Sequence, residues 1–115
     1  MLVDDHAGFR MQARRLLAAA GYDVVGEAED GASALESVRH LHPDVVLVDV
    51  HLPDIDGFDV TRALHEDPDP PAIILISSRE AADFGGRIGR SRAKGFVTKT
   101  ELSGRAISAL LRDAT

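Results

Sequence analysis

The most constraining feature of this 115-residue chain is the uninterrupted aliphatic run Val45–Val48, which ends on Asp49. A short run of β-branched and aliphatic residues without polar alternation predicts a strand that is buried on both faces. Such strands are typical of the centre of a parallel sheet covered by helices. Because ligands collect at the carboxyl ends of strands in open parallel sheets, we expect Asp49 to be presented at the functional edge.

Three other strand-like runs also end in polar residues. The first run leads into Asp4 and Asp5, a later one into Ser77, and the last one into Lys99. If these strands are parallel neighbours, the side chains gather with Asp49 at one edge of the sheet. Three carboxylates at close range repel one another unless a cation lies among them. A hard divalent cation such as Mg2+ suits a site of few carboxylates that also holds phosphate oxygens.

Strand and helix patterns alternate five times along the chain, which predicts a five-stranded parallel sheet with helices on both faces. The fourth helix should be the least stable, because Gly85, Gly86 and Gly89 each cost it about 1 kcal/mol relative to Ala. The predicted strands are 1–3, 23–28, 45–49, 72–76 and 96–98; the predicted helices are 7–20, 31–40, a third capped by Asp56, a fourth within 79–94, and a fifth over 101–113.

Composition predicts one globular domain over residues 1–115. Apolar residues make up 44% of the chain, which is enough for a single core at this length. Purely aliphatic runs are shorter than the about 20 residues that span a bilayer, and cysteine is absent, so we expect a soluble domain in the cytoplasm. A net charge of −6 argues against direct nucleic-acid binding by this domain.

Taken together, the motifs resemble the receiver domains of two-component response regulators, in the family's order and approximate spacing over essentially the whole chain. This resemblance implies a flavodoxin-like (βα)5 fold, a three-layer sandwich with strand order 2-1-3-4-5. Within this family, the segment Val3–Arg10 resembles most the subgroup that usually carries a C-terminal helix-turn-helix DNA-binding domain. The motifs that carry the resemblance are the acidic pair in Leu2–His6, Asp49 followed by Leu52–Gly57, Ser77 after an aliphatic strand, and Lys99 at the end of Gly95–Lys99.

The resemblance also implies a role for each carboxylate. Asp49 would be the phosphoacceptor, which takes a phosphoryl group from a histidine kinase and forms an acyl phosphate. Mg2+ or Mn2+ would be held by Asp5 and Asp49, with Asp4 acting through water. The backbone carbonyl of His51 would complete the metal site in the family pattern.

The remaining site residues would bind the phosphoryl group or respond to it. Lys99 would pair with one phosphoryl oxygen, the Ser77 hydroxyl would donate to another, and Ser78 would add a backbone N–H. Ser77 and Phe96 would form the conformational switch, since Phe96 is placed where the family often has an aromatic residue whose orientation follows phosphorylation.

His51 and Arg79 occupy positions that flank the path of a hydrolytic water in the family, so we expect their bulk to modulate the lifetime of the phosphoryl group. Thr100 follows Lys99 where many receivers have a proline with a cis bond. A non-proline cis bond costs about 3 kcal/mol, which favours a trans bond here. The five histidines show no convincing spacing for a metal site.

Three classes of function are compatible with the residues. The favoured one is a phosphoacceptor module that is not an enzyme beyond its own phosphorylation and dephosphorylation. It would switch an output such as transcription, with a histidine kinase as partner and a homodimer through the fourth helix, fifth strand and fifth helix. The alternative is a pseudo-receiver, an unphosphorylated interaction or dimerisation module. A hydrolase of the aspartyl-phosphate type would need an Asp where His51 stands.

Overall fold

A computed structural model describes residues 1–112 and confirms the five-stranded parallel sheet. The strands lie in the order β2-β1-β3-β4-β5, and every neighbouring pair is parallel. The strands are β1 (Leu2–Val3), β2 (Glu27–Ala28), β3 (Val45–Asp49), β4 (Ala72–Ser77) and β5 (Gly95–Thr98), and the helices are α1 (Ala7–Ala19), α2 (Gly31–Leu41), α3 (Gly57–His65), α4 (Arg87–Arg90) and α5 (Gly104–Arg112).

The sheet is the middle layer of a three-layer sandwich. Side chains of β3 alternate between its faces, as the two-residue period of a strand requires. Val46 and Val48 pack with the apolar residues of α2 and α3, whereas Leu47 packs with those of α1 and α5. Since both faces are covered, β3 and β4 are apolar up to their last residues, which are Asp49 and Ser77.

Strand β2 is shorter than the predicted range 23–28. Only Glu27 and Ala28 pair with β1, and Val25 is exposed. The neighbouring strand explains the difference, because β1 has two residues and offers an edge strand a ladder of that length.

The fourth helix lies within the predicted range but fills only a small part of it. The range 79–94 contains a 3-10 turn at Ala81–Phe84 and then the single helical turn of α4. Gly85 lies between them at φ +57°, a left-handed conformation that stops a helix.

Helix α5 begins at Gly104 rather than at residue 101, because Lys99–Glu101 form a 3-10 turn first. The Ser103 hydroxyl then accepts a hydrogen bond from the Ala106 N–H at 3.0 Å. The predicted end of this helix at residue 113 lies outside the described residues.

Candidate phosphoryl-transfer site

Two carboxylates and the lysine meet at the carboxyl edge of the sheet. Asp4 directly follows β1, Asp49 ends β3, and Lys99 directly follows β5. The Lys99 Nζ atom is 2.6 Å from Asp4 Oδ2 and 3.1 Å from Asp49 Oδ2. The strand order brings these residues together, since β1 and β3 are neighbours and β5 is one strand beyond β4.

Asp5 and His6 line the outer side of this cluster. One ligand atom from each of Asp4, Asp5, His6 and Asp49 can be chosen so that all four lie within 4.8 Å of one another. Asp4 and Asp49 are buried, whereas Asp5 and His6 are exposed. The site therefore has a fixed floor of two carboxylates and a solvent-facing rim.

The backbone holds Asp49 in place. The His51 N–H donates a hydrogen bond to Asp49 Oδ1 at 3.1 Å. Gly57 packs against the same turn, and a Cβ atom at Gly57 would lie only 2.6 Å from the Asp49 carbonyl oxygen. The loop after β3 thus fits closely around the nucleophile that the sequence predicts.

Burial and charge act on the pKa values of the buried groups in opposite directions. Burial raises the pKa of Asp49 above its ordinary value, and the Asp4 charge adds to the rise, although the His51 N–H and Lys99 oppose it. Burial acts the same way on Asp4, but hydrogen bonds from Lys99 and the His6 N–H outweigh it, so the pKa of Asp4 is lowered. The two carboxylates likewise outweigh the burial of Lys99 and raise its pKa.

The donor set fits a hard divalent cation. Asp4 Oδ2 is buried, and its partner is the Lys99 ammonium group at 2.6 Å, which also pairs with Asp49 at 3.1 Å. The carboxylates of Asp4, Asp5 and Asp49 therefore share the positive charge of Lys99, and the excess of negative charge favours an additional cation with oxygen ligands.

The predicted switch residues lie next to the site without contacting its carboxylates. Ser77 is buried at the end of β4, and its Oγ atom accepts a hydrogen bond from the Arg79 N–H at 3.0 Å. Ser78 and Arg79 have exposed side chains. Phe96 packs against Phe84, with ring centroids 5.7 Å apart.

Two aromatic residues of this region make contacts that the sequence did not indicate. Phe84 also approaches His51 and Phe58, with ring centroids 5.8 Å away in both cases, so one ring links the loops after β3 and β4. Phe9 on α1 lies beneath Lys99, whose Nζ atom is 4.6 Å from the ring centroid. The contact between Phe9 and Lys99 could not be predicted from the spacing of apolar residues in α1, because it depends on the packing of α1 beside α5.

Asp54 also has a role that the sequence did not reveal. Its carboxylate accepts hydrogen bonds from the N–H groups of Gly31 at 2.7 Å and Ala32 at 2.9 Å, which are the first residues of α2. Those bonds are the main reason why the pKa of Asp54 is lowered. The loop after β3 is therefore tied to the helix that packs beside it.

Fold and site together define an α/β domain with an acidic edge that could hold a cation, and comparison with known proteins gives its family. The profile of the response regulator receiver domain matches residues 1–111. The chain therefore belongs to the response regulator receiver domain family. Receiver domains are signalling modules that interact with histidine kinases and bind Mg2+ at an acidic pocket.

Individual relatives agree with this assignment. The chain is 32% identical over 111 residues to the chemotaxis protein CheY of Thermotoga maritima, covering 96% of this chain and 92% of CheY. It is 37% identical over 100 residues to the response regulator GacA of Pseudomonas aeruginosa, covering 86% of this chain and 47% of GacA. A LuxR-family response regulator from Aurantimonas sp. SI85-9A1 superposes with a TM-score of 0.87 at 34% identity, covering 97% of this chain and 83% of that chain.

The relatives include transcriptional regulators, in line with the subgroup that the Val3–Arg10 motif predicts. The chain spans about half the length of several of these curated relatives. Within residues 1–112, the helices are too short or too polar to cross a bilayer.

Proposed function

We propose that Asp49 accepts the phosphoryl group. The observation that supports this most directly is the meeting of a buried carboxylate, a second carboxylate and a lysine within 3.1 Å contacts at the carboxyl edge of the sheet. In the reaction, an Asp49 oxygen attacks the phosphorus atom and the bond from phosphorus to the donor nitrogen of a kinase phosphohistidine breaks. The product is an acyl phosphate, and the leaving imidazole takes up a proton from solvent.

Other residues of the site prepare this reaction by position and charge. We assign the cation to Asp5 and Asp49, with Asp4 acting through water and the His51 carbonyl as a further ligand. Mg2+, or Mn2+ in its place, would neutralise negative charge on the phosphoryl oxygens when bound. Lys99 is within 3.1 Å of Asp49 Oδ2, so its ammonium group can reach an oxygen of a phosphoryl group on that residue.

Ser77 and Phe96 would change their contacts in response to the acyl phosphate. The Ser77 Oγ accepts one hydrogen bond, and among the described residues its own hydroxyl proton has no acceptor. Donation of this proton to a phosphoryl oxygen requires the loop after β4 to move inwards, with the Ser78 N–H as a second donor. That movement changes the surroundings of Phe84 and lets Phe96 repack, which gives the two states of a switch.

We also propose that the switched surface controls self-association. Phe96, Ala106, Ala109 and Leu110 line a groove between β5 and α5, beside the 3-10 turn that follows β4. A homodimer through α4, β5 and α5 would cover this groove. Sedimentation of the protein with Mg2+ and beryllofluoride, a phosphoryl mimic, should show more dimer than the untreated protein; an unchanged distribution contradicts this step.

In this proposal the domain works in the cytoplasm with a cognate histidine kinase and controls an output such as transcription. Side chains at His51 and Arg79 would modulate the lifetime of the acyl phosphate by screening it from water. The rate of dephosphorylation in His51→Ala and Arg79→Ala tests this modulation, and rates equal to that of the parent would contradict it.

The experiment that tests the central assignment uses acetyl phosphate. The parent and Asp49→Asn are incubated with acetyl phosphate and Mg2+ and then separated on a gel that retards phosphoproteins. We expect a shifted band for the parent that EDTA abolishes, and no shifted band for Asp49→Asn. A parent that never shifts would indicate the pseudo-receiver alternative instead.

A further inference from the structure

We propose that the His6 side chain is a nitrogen ligand of the cation at this site, and that it makes the site favour Co2+, Ni2+ and Zn2+ over Mg2+ more strongly than carboxylates alone would. This inference rests on the metal site of the proposed function. The histidines show no convincing spacing of metal ligands along the sequence. Asp4, Asp5 and His6 are consecutive, but only the fold brings them beside Asp49.

The position of the imidazole carries the inference. His6 Nδ1 is 3.0 Å from Asp5 Oδ1 and 3.2 Å from Asp4 Oδ1, and it belongs to the group of four ligand atoms that lie within 4.8 Å of one another. Ligands on opposite sides of an ion are about 4.2 Å apart when each bond is about 2.1 Å long. The group needs to contract by only about half an ångström to hold an ion.

The parts of the site that must move are the exposed ones. Asp4 and Asp49 are buried, whereas the His6 side chain is 69% exposed and the Asp5 side chain 37% exposed. The His6 backbone is nevertheless fixed, because its N–H donates to Asp4 Oδ1 at 2.7 Å and the residue caps the start of α1 in an extended conformation. The imidazole is thus anchored next to the acidic pair and can adjust by side-chain rotation.

A second observation points to an ion at this place. The Asp4 carboxylate is buried, and its Oδ2 atom is 2.6 Å from Lys99 Nζ, which is also 3.1 Å from Asp49 Oδ2. Acidic groups at the surface alone would not suggest a metal site, but two buried carboxylates that share one ammonium group keep an excess of negative charge, which favours a cation beside them. Asp5 and Asp49 are the carboxylates placed to share that cation.

Ligand chemistry then sets the preference among cations. Mg2+ takes oxygen ligands and dehydrates reluctantly, so an imidazole contributes little to its binding. Imidazole nitrogen is a good ligand for Ni2+ and Zn2+, and the affinity of mixed nitrogen and oxygen sites rises from Mn2+ through Co2+ to Cu2+. Removing His6 should therefore weaken the binding of these ions selectively.

The test compares untagged parent, His6→Asn and His6→Ala by calorimetric titration with Co2+ and, separately, with Mg2+. We expect both variants to lose at least about tenfold in Co2+ affinity, while Mg2+ affinity stays within about twofold. His40→Asn is the matched control, since His40 is exposed on α2 away from the site, and it should bind both ions like the parent. Equal losses for both ions, or an unchanged Co2+ affinity, would overturn the inference.

Pulsed electron paramagnetic resonance of the Cu2+-loaded proteins provides an independent readout. We expect the coupling of a directly bound nitrogen in the parent and in His40→Asn, and its loss in His6→Asn; the same nitrogen signal in His6→Asn would overturn the inference. Phosphorylation of His6→Asn with Mg2+ and acetyl phosphate separates the two proposals. A shifted band here together with unchanged Co2+ affinity removes only the role of His6, whereas no shifted band in the parent removes the proposed function.

Discussion

The connections that follow the two central strands are held very differently. After β3, the Gly57 N–H donates to the Val50 carbonyl at 2.8 Å, and α3 starts with reciprocal hydrogen bonds between Asp56 and Asp59. After β4, the chain forms a short 3-10 turn, in which Glu80 and Asp83 make reciprocal hydrogen bonds of the same kind, and then the single turn of α4. Asp49 is thus followed by a connection that leads into a regular helix, whereas the connection on the side of Ser77 and Phe96 has little regular structure and depends on the packing of Phe84.

Substitutions at two glycines test whether the connections after β3 and β4 differ in how tightly they are packed. A Cβ atom at Gly57 would approach backbone atoms of Asp49 and Val50 to 2.6 and 2.9 Å, whereas one at Gly89 would meet nothing within 4 Å. We expect Gly57→Ala to lower the free energy of unfolding by about 1–3 kcal/mol or more, since backbone atoms must shift. Gly89→Ala should raise it by up to about 1 kcal/mol through helix propensity.

Urea denaturation of both variants measures these changes. If Gly57→Ala were as stable as the parent, the loop after β3 would not be rigid. A destabilised Gly89→Ala would likewise show that the connection after β4 is packed more tightly than the open space at Gly89 indicates.

The same contrast explains what could be predicted from the sequence. Strand β3 and the position of Asp49 at its end could be predicted because an aliphatic run of this length has few alternatives to a buried strand. Asp4, Asp49 and Lys99 converge as expected, since strand ends and strand order fix their positions. The bounds of the helix after β4 could not be predicted, because three glycines in this segment remove the local preference that marks where a helix begins and ends.

Long-range contacts of single side chains were the other part that the sequence left open. No pattern in the sequence indicated that the carboxylate of Asp54 caps a helix that begins 23 residues earlier. Phe9 and Lys99 are far apart in the chain, and only the packing of α1 beside α5 brings them together. Such contacts need the three-dimensional arrangement before any residue pattern can indicate them.

Asp49→Asn should stabilise the protein when no divalent cation is present. Burial raises the pKa of the Asp49 carboxyl, so the folded protein holds the proton more tightly than the unfolded chain does. At pH 7 the ionised carboxylate therefore destabilises the fold, and this cost disappears as the pH falls through the raised pKa. We expect Asp49→Asn to raise Tm by a few degrees in EDTA at pH 7.

Thermal unfolding monitored by circular dichroism measures the change in Tm that Asp49→Asn causes. The gain should shrink as the pH is lowered, and Mg2+ should raise the Tm of the parent more than that of Asp49→Asn. A lower Tm for Asp49→Asn in EDTA would contradict the assigned burial of charge.

Asp54→Ala should have the smallest effect of the three, a modest decrease in Tm. The variant loses the two hydrogen bonds to the start of α2, but it empties no core position. Since the folded pKa of Asp54 is lowered, its contribution is present above the unfolded pKa and is lost as the pH falls through the folded one. The difference in Tm from the parent should therefore vanish in acid.

Asp23→Ala serves as the control for this measurement, because Asp23 is also exposed. It should unfold at the same temperature as the parent at pH 7. If Asp54→Ala behaved like Asp23→Ala, the loop after β3 would not depend on its tie to α2.

Locating the phosphoryl group is the most direct test of the central claim. The parent protein is phosphorylated with acetyl phosphate and Mg2+, the acyl phosphate is reduced with borohydride to an alcohol, and the peptides are sequenced by tandem mass spectrometry. The account predicts that residue 49 alone carries the mass of homoserine. Homoserine at residue 4, 5 or 54, or at no residue of a protein that binds Mg2+ normally, would contradict it.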